Sequence, residues 1–323
     1  MVAGAFVVAI ALSQAYPNLP DISDLVDYQP KLPLRVYSSE GVLIGEFGEE
    51  RRTLTPIREI PKVMVDAVLA IEDTRFFEHN GVDYKGILRA ALANLGKVKS
   101  QGASTITMQV ARNVYLSSEK TYTRKIYEVL LTFKLEHLLT KEKILEVYMN
   151  QIFLGHRAYG FAAASEVYFG KPLKNITIAE AAMLAGLPKA PSAYNPISNL
   201  KRARVRQLHI IDRMEENGFI TAEQAEEARN EPLRLRRDRP RENAAHADYV
   251  AEMARQLIFD QYGEAAYTKG LNVYTTLKLD EQNVAYKALR EGIMAYERRQ
   301  RFRGPERFVA LPTDAQALED VVD

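Results

Sequence analysis

The stretch at residues 71–83, IEDTRFFEHNGVD, places two adjacent carboxylates, Glu72 and Asp73, at the end of an apolar run. The run begins at Val63 and repeats apolar residues at helical spacing, so it predicts a helix whose last turn carries both acids at the edge of a core. The negative pole of a helix C-terminus raises a carboxyl pKa, which suits a general base near neutral pH. A solvated helix end would show the same pattern, and this stretch alone does not separate the two interpretations.

Length and composition narrow the class of protein. A chain of 323 residues, 47% hydrophobic and 26% charged, is typical of about two globular domains with ample core. A net charge of +1 argues against nucleic acid as the main partner. The lack of cysteine excludes disulfides and cysteine-ligated metals.

The N-terminal segment is apolar but short. Residues 2–12 cover about half of the roughly 20 residues that a helix needs to cross a bilayer. We interpret residues 1–20 as a membrane anchor, the exit part of a transmembrane helix that is partly missing here; a signal-peptide remnant and a buried core helix are the alternatives.

The rest of the chain divides by its periodicity. Residues 21–60 are interpreted as a juxtamembrane β segment, with two short strands around the turn at 38–41. Residues 61–232 are helical almost throughout, with capping boxes at Thr177 and Thr221 and helix stops at Gly186 and Gly218. Residues 233–323 begin with an arginine-rich loop, which we interpret as a solvated linker. Apolar residues then alternate with polar ones at 271–279, which predicts a strand.

A second informative stretch is GASTITMQVARN at residues 102–113. Ser104 is predicted to cap a helix that carries Thr105, Gln109 and Arg112 on its polar face. A helix start offers free N–H groups to an anion and Arg112 adds a charge, so phosphate is the expected ligand. An ordinary amphipathic helix with a polar outer face is the alternative.

Two further stretches carry charge on helices. In RKIYE, at residues 124–128, Arg124 and Glu128 are four apart and are able to form a surface ion pair. In KEKILEVYMN, at residues 141–150, Glu146 and Asn150 share a helical face and bring a second carboxylate.

The order of these stretches is more specific than any one of them. IEDxxFxxHxG, then GASTIT with a following Gln, then RKxxE and KxxILExYxN resembles the glycosyltransferase domain of class A penicillin-binding proteins, the family 51 peptidoglycan polymerases. The resemblance covers residues 34–233. It implies a mainly α (α+β) fold, a lysozyme-like helical lobe with a small membrane-associated jaw and short β elements before and after, and makes residues 233–323 a linker and the start of a truncated transpeptidase region.

The resemblance also implies a reaction. Lipid II is polymerised into β-1,4-linked glycan strands with inversion and release of undecaprenyl pyrophosphate, with Glu72 as general base and Glu146 as the second catalytic carboxylate. Thirteen positions correspond to substrate-binding residues: Asp73, Phe76, His79, Ser104, Thr105, Gln109, Arg112, Asn113, Arg124, Lys125, Glu128, Tyr148 and Asn150. We interpret His79 as a hydrogen-bonded structural residue. No metal-ligand spacing is visible, and the family allows a divalent cation, Mg²⁺ or Mn²⁺, as a cofactor.

By the same resemblance, the partners are lipid II, the growing glycan strand, the membrane and other cell-wall synthesis proteins. The expected location is the bacterial cytoplasmic membrane, with a single N-terminal transmembrane helix and the catalytic domain on the periplasmic face, where the family is the target of moenomycin.

The sequence departs from the family at three positions. Met108 replaces the first of two glutamines, Arg112 replaces a lysine, and Gln207 stands beside Arg206 where two arginines are usual. The SxxK at residues 117–120 has no accompanying boxes and is interpreted as chance. The alternative functions are a lysozyme-like peptidoglycan hydrolase and an inactive membrane scaffold that recruits cell-wall partners.

Overall fold

The computed structural model describes Leu19 and residues 30–87, 104–115, 122–236 and 246–300. Several predicted features lie outside these residues: the membrane anchor apart from Leu19, Gly102 and Ala103 of the second stretch, the SxxK at 117–120, and most of the arginine-rich loop. Within the described ranges, no helix is both long and apolar enough to cross a membrane.

The described residues are mainly helical. The helices are α1 (Lys62–Glu72), α2 (Ile106–Tyr115), α3 (Tyr122–Leu138), α4 (Lys141–Gln151), α5 (Phe161–Phe169), α6 (Ile178–Ala185), α7 (Leu200–Glu216), α8 (Ala222–Asn230), α9 (Asp248–Tyr262) and α10 (Leu279–Arg299). Single 3-10 turns occur at Ile57–Glu59, Leu173–Asn175 and Gly263–Tyr267. The mainly α class with short β elements on both sides is confirmed.

The strands form two small sheets. β1 (Leu34–Tyr37) and β2 (Leu43–Phe47) make the predicted antiparallel hairpin. β3 (Arg51–Arg52) pairs in parallel with β4 (Ala158–Tyr159). β5 (Asn272–Tyr274) pairs in parallel with β1, so the first and last strands share one sheet, which α9 covers. The strand predicted over 271–279 was too long, because Leu279 begins α10.

The helical core is built around α6. Its alanines at 179, 181, 182 and 185 are buried and small, so α1 and α7 approach its backbone closely. Both predicted capping boxes are confirmed: Thr177 with Glu180 starts α6, and Thr221 with Gln224 starts α8. The predicted stops are also confirmed, since α6 ends before Gly186 and α7 ends just before Gly218.

The segment before α1 is tied to α4 through one amide side chain. Asn150 is buried; its Oδ1 accepts from the Thr55 N–H at 2.9 Å and its Nδ2 donates to the Thr55 carbonyl at 2.9 Å. The same Nδ2 donates to the Glu146 carbonyl at 2.8 Å. These reciprocal hydrogen bonds between Asn150 and Thr55 hold residues 53–57 against the helix that carries Glu146.

The close turn after α4 gives a test of the packing. Gly160 has φ 81°, and a Cβ there would lie 2.8 Å from the Asn150 carbonyl oxygen. Gly218 has φ 72° with no atom within 4 Å of such a Cβ. We expect Gly160→Ala to lower the free energy of unfolding by about 2–4 kcal/mol, against about 1 kcal/mol for Gly218→Ala, because only the first adds overlap to backbone strain. Urea unfolding measures both; equal losses would contradict the close approach.

Candidate functional site

Glu72 is the last residue of α1, and the helix ends because Asp73 leaves the helical conformation, with φ −162° and ψ 78°. The Glu72 side chain is half-buried. Its Oε2 accepts a hydrogen bond of 2.7 Å from Nε2 of Gln109, on α2. Since Gln109 is itself buried, the predicted polar face of α2 points to the carboxylate rather than to solvent.

Asp73 joins the end of α1 to the start of α2. Its Oδ2 accepts from the Ile106 N–H at 3.0 Å, and both of its oxygens lie 3.0 Å from Nε2 of His79. The carboxylate is buried and occupies the helix N-terminus, where the sequence predicted phosphate. His79 therefore has the structural hydrogen bond that we predicted for it.

The predicted cap of α2 was wrong by one residue. The helix begins at Ile106, and Oγ1 of Thr105, not of Ser104, accepts the Met108 N–H at 3.2 Å. The Thr105 hydroxyl also donates to the Gly81 carbonyl at 2.5 Å, so the cap doubles as a bond to the loop after α1. Ser104 lies half-buried just before it.

An aromatic side chain anchors the loop after α1 in the core. Phe76 is fully buried, and the Lys141 ammonium lies 4.5 Å from its ring centroid. Lys141 also donates to Glu136 at 2.7 Å, and Thr107 of α2 donates to the same Oε1 at 2.5 Å. The loop, α2, α3 and α4 are thus tied by one cation and one carboxylate.

Burial raises the pKa of Glu72 above its ordinary value. The hydrogen bond from Gln109 and the charges of Arg206 and Arg112 oppose this rise, while the Asp73 charge adds to it. The result is a carboxyl group whose pKa lies closer to neutral pH than that of a solvated glutamate, as a general base requires.

Tyr148 of α4 lies within electrostatic reach of Glu72. Burial and then the Glu72 charge raise the pKa of Tyr148 well above its ordinary value, against a smaller effect of Arg112, so the phenol stays protonated. Its hydroxyl is buried and finds no hydrogen-bond partner among the described residues. The O–H is therefore able to donate to a bound molecule.

The second carboxylate has the opposite environment. Partial burial opposes ionisation of Glu146, but hydrogen bonds from Lys143 at 2.9 Å and from the Ile57 N–H at 2.9 Å outweigh it, with a further effect of Arg58. The pKa of Glu146 is therefore lowered, and the group is ionised at neutral pH.

The predicted cations come from two helices that follow each other along the chain. Arg112 lies half-buried in the last turn of α2, next to the exposed Asn113, and Arg124 and Lys125 lie in the first turn of α3. Thr107, near the start of α2, bonds to Glu136, near the end of α3, so the two helices run in opposite directions and the last turn of α2 lies at the same end of the pair as the first turn of α3. Lys125 is held by the buried Glu128, at 2.6 Å.

Arg206 was absent from the predicted site. It lies on α7, and its charge lowers the pKa of Glu72. The only signal for it in the sequence was its partial match to the family's arginine pair. Because Arg206 lies far from Glu72 along the chain, the sequence gave no reason to place the two in one site.

The site residues do not fit a divalent cation. The Asp73 carboxylate is hydrogen-bonded to His79 and to a backbone N–H. The Glu146 carboxylate is hydrogen-bonded to Lys143 and to the Ile57 N–H. No group of three or more ligating side chains exists in the described part of the chain. We assign no chemical step to a metal.

Comparison with known proteins places this site in a family context. Residues 40–215 match the family model described as Transglycosylase. Penicillin-binding protein 1A of Neisseria meningitidis serogroup A is 52% identical over 320 residues, 98% of this chain and 40% of that protein. The Escherichia coli protein of the same name is 46% identical over 290 residues, 90% of this chain and 34% of that protein.

A crystal structure of penicillin-binding protein 1A from Haemophilus influenzae is also similar, with 31% identity and a TM-score of 0.47. The match covers 88% of this chain and 33% of that chain. This chain thus spans 40% of the length of the Neisseria relative.

The environment of Glu72 predicts how its replacement changes stability. A carboxyl group whose pKa is raised by folding costs stability when ionised, and the cost disappears as the pH falls through the folded pKa to below the unfolded one. We expect Glu72→Gln to raise Tm by roughly 1–4 °C at about pH 7.5, with the gain vanishing near pH 4, in thermal unfolding followed by circular dichroism.

Glu146→Gln is the matched control, because the pKa of Glu146 is lowered. A carboxyl group of that kind contributes stability above its unfolded pKa and loses it as the pH falls through the folded pKa. This variant should therefore lower Tm at neutral pH and match the wild type in acid. If both variants moved Tm in the same direction at neutral pH, the assigned environments would be wrong.

Proposed function

Since the chain belongs to the transglycosylase family, as the order of its four motifs predicted, we propose that it polymerises lipid II into β-1,4-linked glycan strands. The reaction inverts the donor sugar carbon and releases undecaprenyl pyrophosphate. The observation that carries this proposal is a half-buried carboxyl group with a raised pKa, Glu72, within electrostatic reach of a fixed cation, Arg112.

Glu72 acts as the base. Gln109 holds its Oε2, and no described residue donates to Oε1, which leaves that oxygen for the 4-hydroxyl of the acceptor sugar. The hydroxyl proton moves to Glu72 as the acceptor oxygen forms a bond to C1 of the donor, and the bond from C1 to the phosphate oxygen breaks with its electron pair. Because Gln109 is buried and Asp73 fixes α2, the carboxylate is oriented before substrate arrives.

The cations act on the leaving group. A departing diphosphate gains negative charge in the transition state, so fixed positive charges beside it lower the barrier. Arg112, Arg124 and Lys125 supply these charges at one end of the α2 and α3 pair. The guanidinium of Arg112 allows two parallel hydrogen bonds to phosphate where the family's lysine offers a point charge.

Glu146 and its neighbours position the substrate rather than transfer protons. A carboxylate that stays ionised at neutral pH is not a proton donor, so Glu146 is suited to accept hydrogen bonds from sugar hydroxyls. Asn150 supports it through Thr55, and Tyr148 offers an O–H that has no hydrogen-bond partner within the described ranges.

The alternatives have less support. A peptidoglycan hydrolase needs an acid and a base carboxylate but no cluster of cations for a diphosphate. An inactive scaffold would not need the raised pKa of Glu72.

The proposed location is the outer face of the bacterial cytoplasmic membrane, with residues 1–20 as part of a single anchor and residues 61–232 as the catalytic domain. Large apolar side chains are exposed in the segment that follows α1, at Phe77, Tyr84 and Ile87. A membrane-facing jaw in this region gives them an apolar environment. Residues 233–323 lead into the transpeptidase region under this proposal.

Loss of the base gives the most direct test of the reaction. We expect Glu72→Gln to reduce polymerisation of lipid II by about 10²–10⁴-fold, because the amide cannot accept the proton. Glu78→Gln is the control, since Glu78 is exposed in the loop that follows Glu72 and should behave as the wild type. The reaction is measured by the length of the glycan product on gels and by the amount of undecaprenyl pyrophosphate released.

The same preparation distinguishes the alternatives. Incubation with finished glycan strands should release no fragments, whereas a hydrolase would shorten them. Full polymerising activity in Glu72→Gln would reject Glu72 as the base, and lack of activity in the wild type with intact lipid II would favour the scaffold.

The jaw is tested by binding to vesicles of anionic lipid. Phe77 and Tyr84 are 54% and 69% exposed, and we expect the double variant Phe77→Ser, Tyr84→Ser to bind at least about threefold more weakly, because apolar area inserted in the interface is lost. Val205→Ser is the control, as Val205 is 66% exposed on α7. Equal binding by all three proteins in co-sedimentation would count against the jaw.

A further inference from the structure

Lys141 occupies a position that two physical effects make unfavourable for a lysine. It is the first residue of α4, where the positive pole of the helix opposes a cation. Its side chain is also largely removed from water, with an exposed fraction of 17%. Lysine side chains are seldom removed from water to this extent unless a partner offsets the cost of burying the charge.

The ammonium of Lys141 has two partners. Its Nζ donates to Oε1 of Glu136 at 2.7 Å, and it lies 4.5 Å from the ring centroid of the fully buried Phe76. Glu136 is itself largely buried and lies near the end of α3. The ion pair therefore joins the end of α3 to the start of α4, and the aromatic contact joins the ion pair to the loop after α1.

The same carboxylate oxygen also holds α2. Thr107 lies in the first turn of that helix, is fully buried, and donates its hydroxyl to Oε1 of Glu136 at 2.5 Å. A Cβ at Gly81 would lie 2.9 Å from Cγ of Glu136, so the loop passes directly against the same side chain. Two donors on one oxygen and the loop against the stem leave Glu136 little freedom to move.

Thr107 connects these contacts to the base. Two residues after it, Gln109 donates from Nε2 to Oε2 of Glu72 at 2.7 Å. Residues two apart project on roughly opposite sides of a helix, so Glu136 contacts α2 on the side away from Glu72. The rotation of α2 about its axis is therefore fixed on one side by Glu136, and this rotation decides where the Gln109 amide lies.

Lys62 shows that the start of a helix does not by itself require a buried lysine. It is the first residue of α1, its Nζ donates to Asp66 at 2.6 Å, and it lies 6.0 Å from the Phe219 ring centroid. The Lys62 side chain is nevertheless 81% exposed. A lysine in a first turn thus finds a carboxylate and a ring at the surface, and the burial of Lys141 needs a different reason.

We propose that Lys141 is a positioning residue for the catalytic base. Through Glu136 and Thr107 it fixes the rotation of α2 at which Gln109 meets Glu72. This inference rests on the proposed function, in which Glu72 is the base. Lys141 itself touches no reacting atom.

Removal of the cation would release this arrangement. Glu136 would become a largely buried carboxylate with a single hydroxyl donor, which is costly, so it would turn towards water. The hydroxyl of Thr107 would then lose its acceptor, and α2 its contact on that side. Gln109 would no longer hold the carboxylate of Glu72 in one orientation.

The test is a double-mutant cycle on the polymerisation of lipid II by the full chain. We expect Lys141→Met, which keeps the apolar stem, to lower kcat by roughly 10–100-fold and to change KM by less than about threefold. The base is then misplaced while the contacts to substrate remain. Lys141→Arg should recover most of kcat, and Lys62→Met, the matched control, should behave as the wild type.

The second arm of the cycle uses Gln109→Ala. If Lys141 acts through Gln109, adding Lys141→Met to Gln109→Ala should lower kcat by less than about threefold further, because the contact that Lys141 positions is already absent. Two independent structural effects would instead multiply. Thermal unfolding shows whether each variant is folded at the assay temperature.

Three results would overturn the inference. The first is a full multiplication of the two losses in the double variant. The second is an equal kcat for the Met and Arg variants of Lys141, which would mean that its charge is irrelevant. The third is a loss that appears in KM alone, which would place Lys141 in substrate binding.

A second variant covers the case in which Lys141→Met does not fold. Thr107→Val keeps the ion pair and the shape of the side chain, and it removes the hydroxyl that joins α2 to Glu136. It should lower kcat by about 3–30-fold, with less than about threefold further loss in the Gln109→Ala background, whereas Thr107→Ser should behave as the wild type.

A wild-type kcat in Thr107→Val, or losses that multiply with those of Gln109→Ala, would refute the proposal. Failure of the proposed function is recognised separately, because Glu72→Gln would retain activity in that case.

Discussion

The hydrogen bonds to the Asp73 carboxylate are the contacts on which the site depends. They come from the Ile106 N–H and from His79, and they join the end of α1 to the start of α2. A buried carboxylate is tolerated only when several donors satisfy it, and a helix N-terminus is among the best of these. The register between the two helices follows from this junction, and with it the meeting of Gln109 with Glu72. The Glu72 carboxylate is thus oriented by a buried side chain whose helix is fixed through its backbone.

The two carboxylates proposed for catalysis illustrate how environment separates roles. Glu72 is desolvated at the edge of the core and has its pKa raised, whereas Glu146 accepts from Lys143 and a backbone N–H and has its pKa lowered. One group is therefore suited to accept a proton and the other to remain charged. Of these two groups, only Glu72 costs stability when it is ionised, as is common where activity requires a group to be held in an unfavourable state.

Local rules succeeded where a few neighbouring residues decide the outcome. The capping boxes at Thr177 and Thr221 and the hairpin of β1 and β2 follow from spacing and turn chemistry, and all three are confirmed. The cap of α2 was misplaced because Ser104 and Thr105 are equally good acceptors in sequence, and the bond to the Gly81 carbonyl chose between them. The final strand was overextended because its alternation continued into the first turn of α10.

The sequence by itself determined the family and the helical class and gave the candidate acids and cations, because residue type and short spacing encode helices and motif order. Tertiary structure alone decided which of these residues share an environment. Asp73 binds the helix N-terminus where phosphate was predicted, and Asn150 is hydrogen-bonded to Thr55. Arg206, on a helix distant in sequence, influences the pKa of Glu72. Burial and electrostatic influence depend on distances in space, and those arise from the packing of α1, α2, α6 and α7 rather than from separation along the chain.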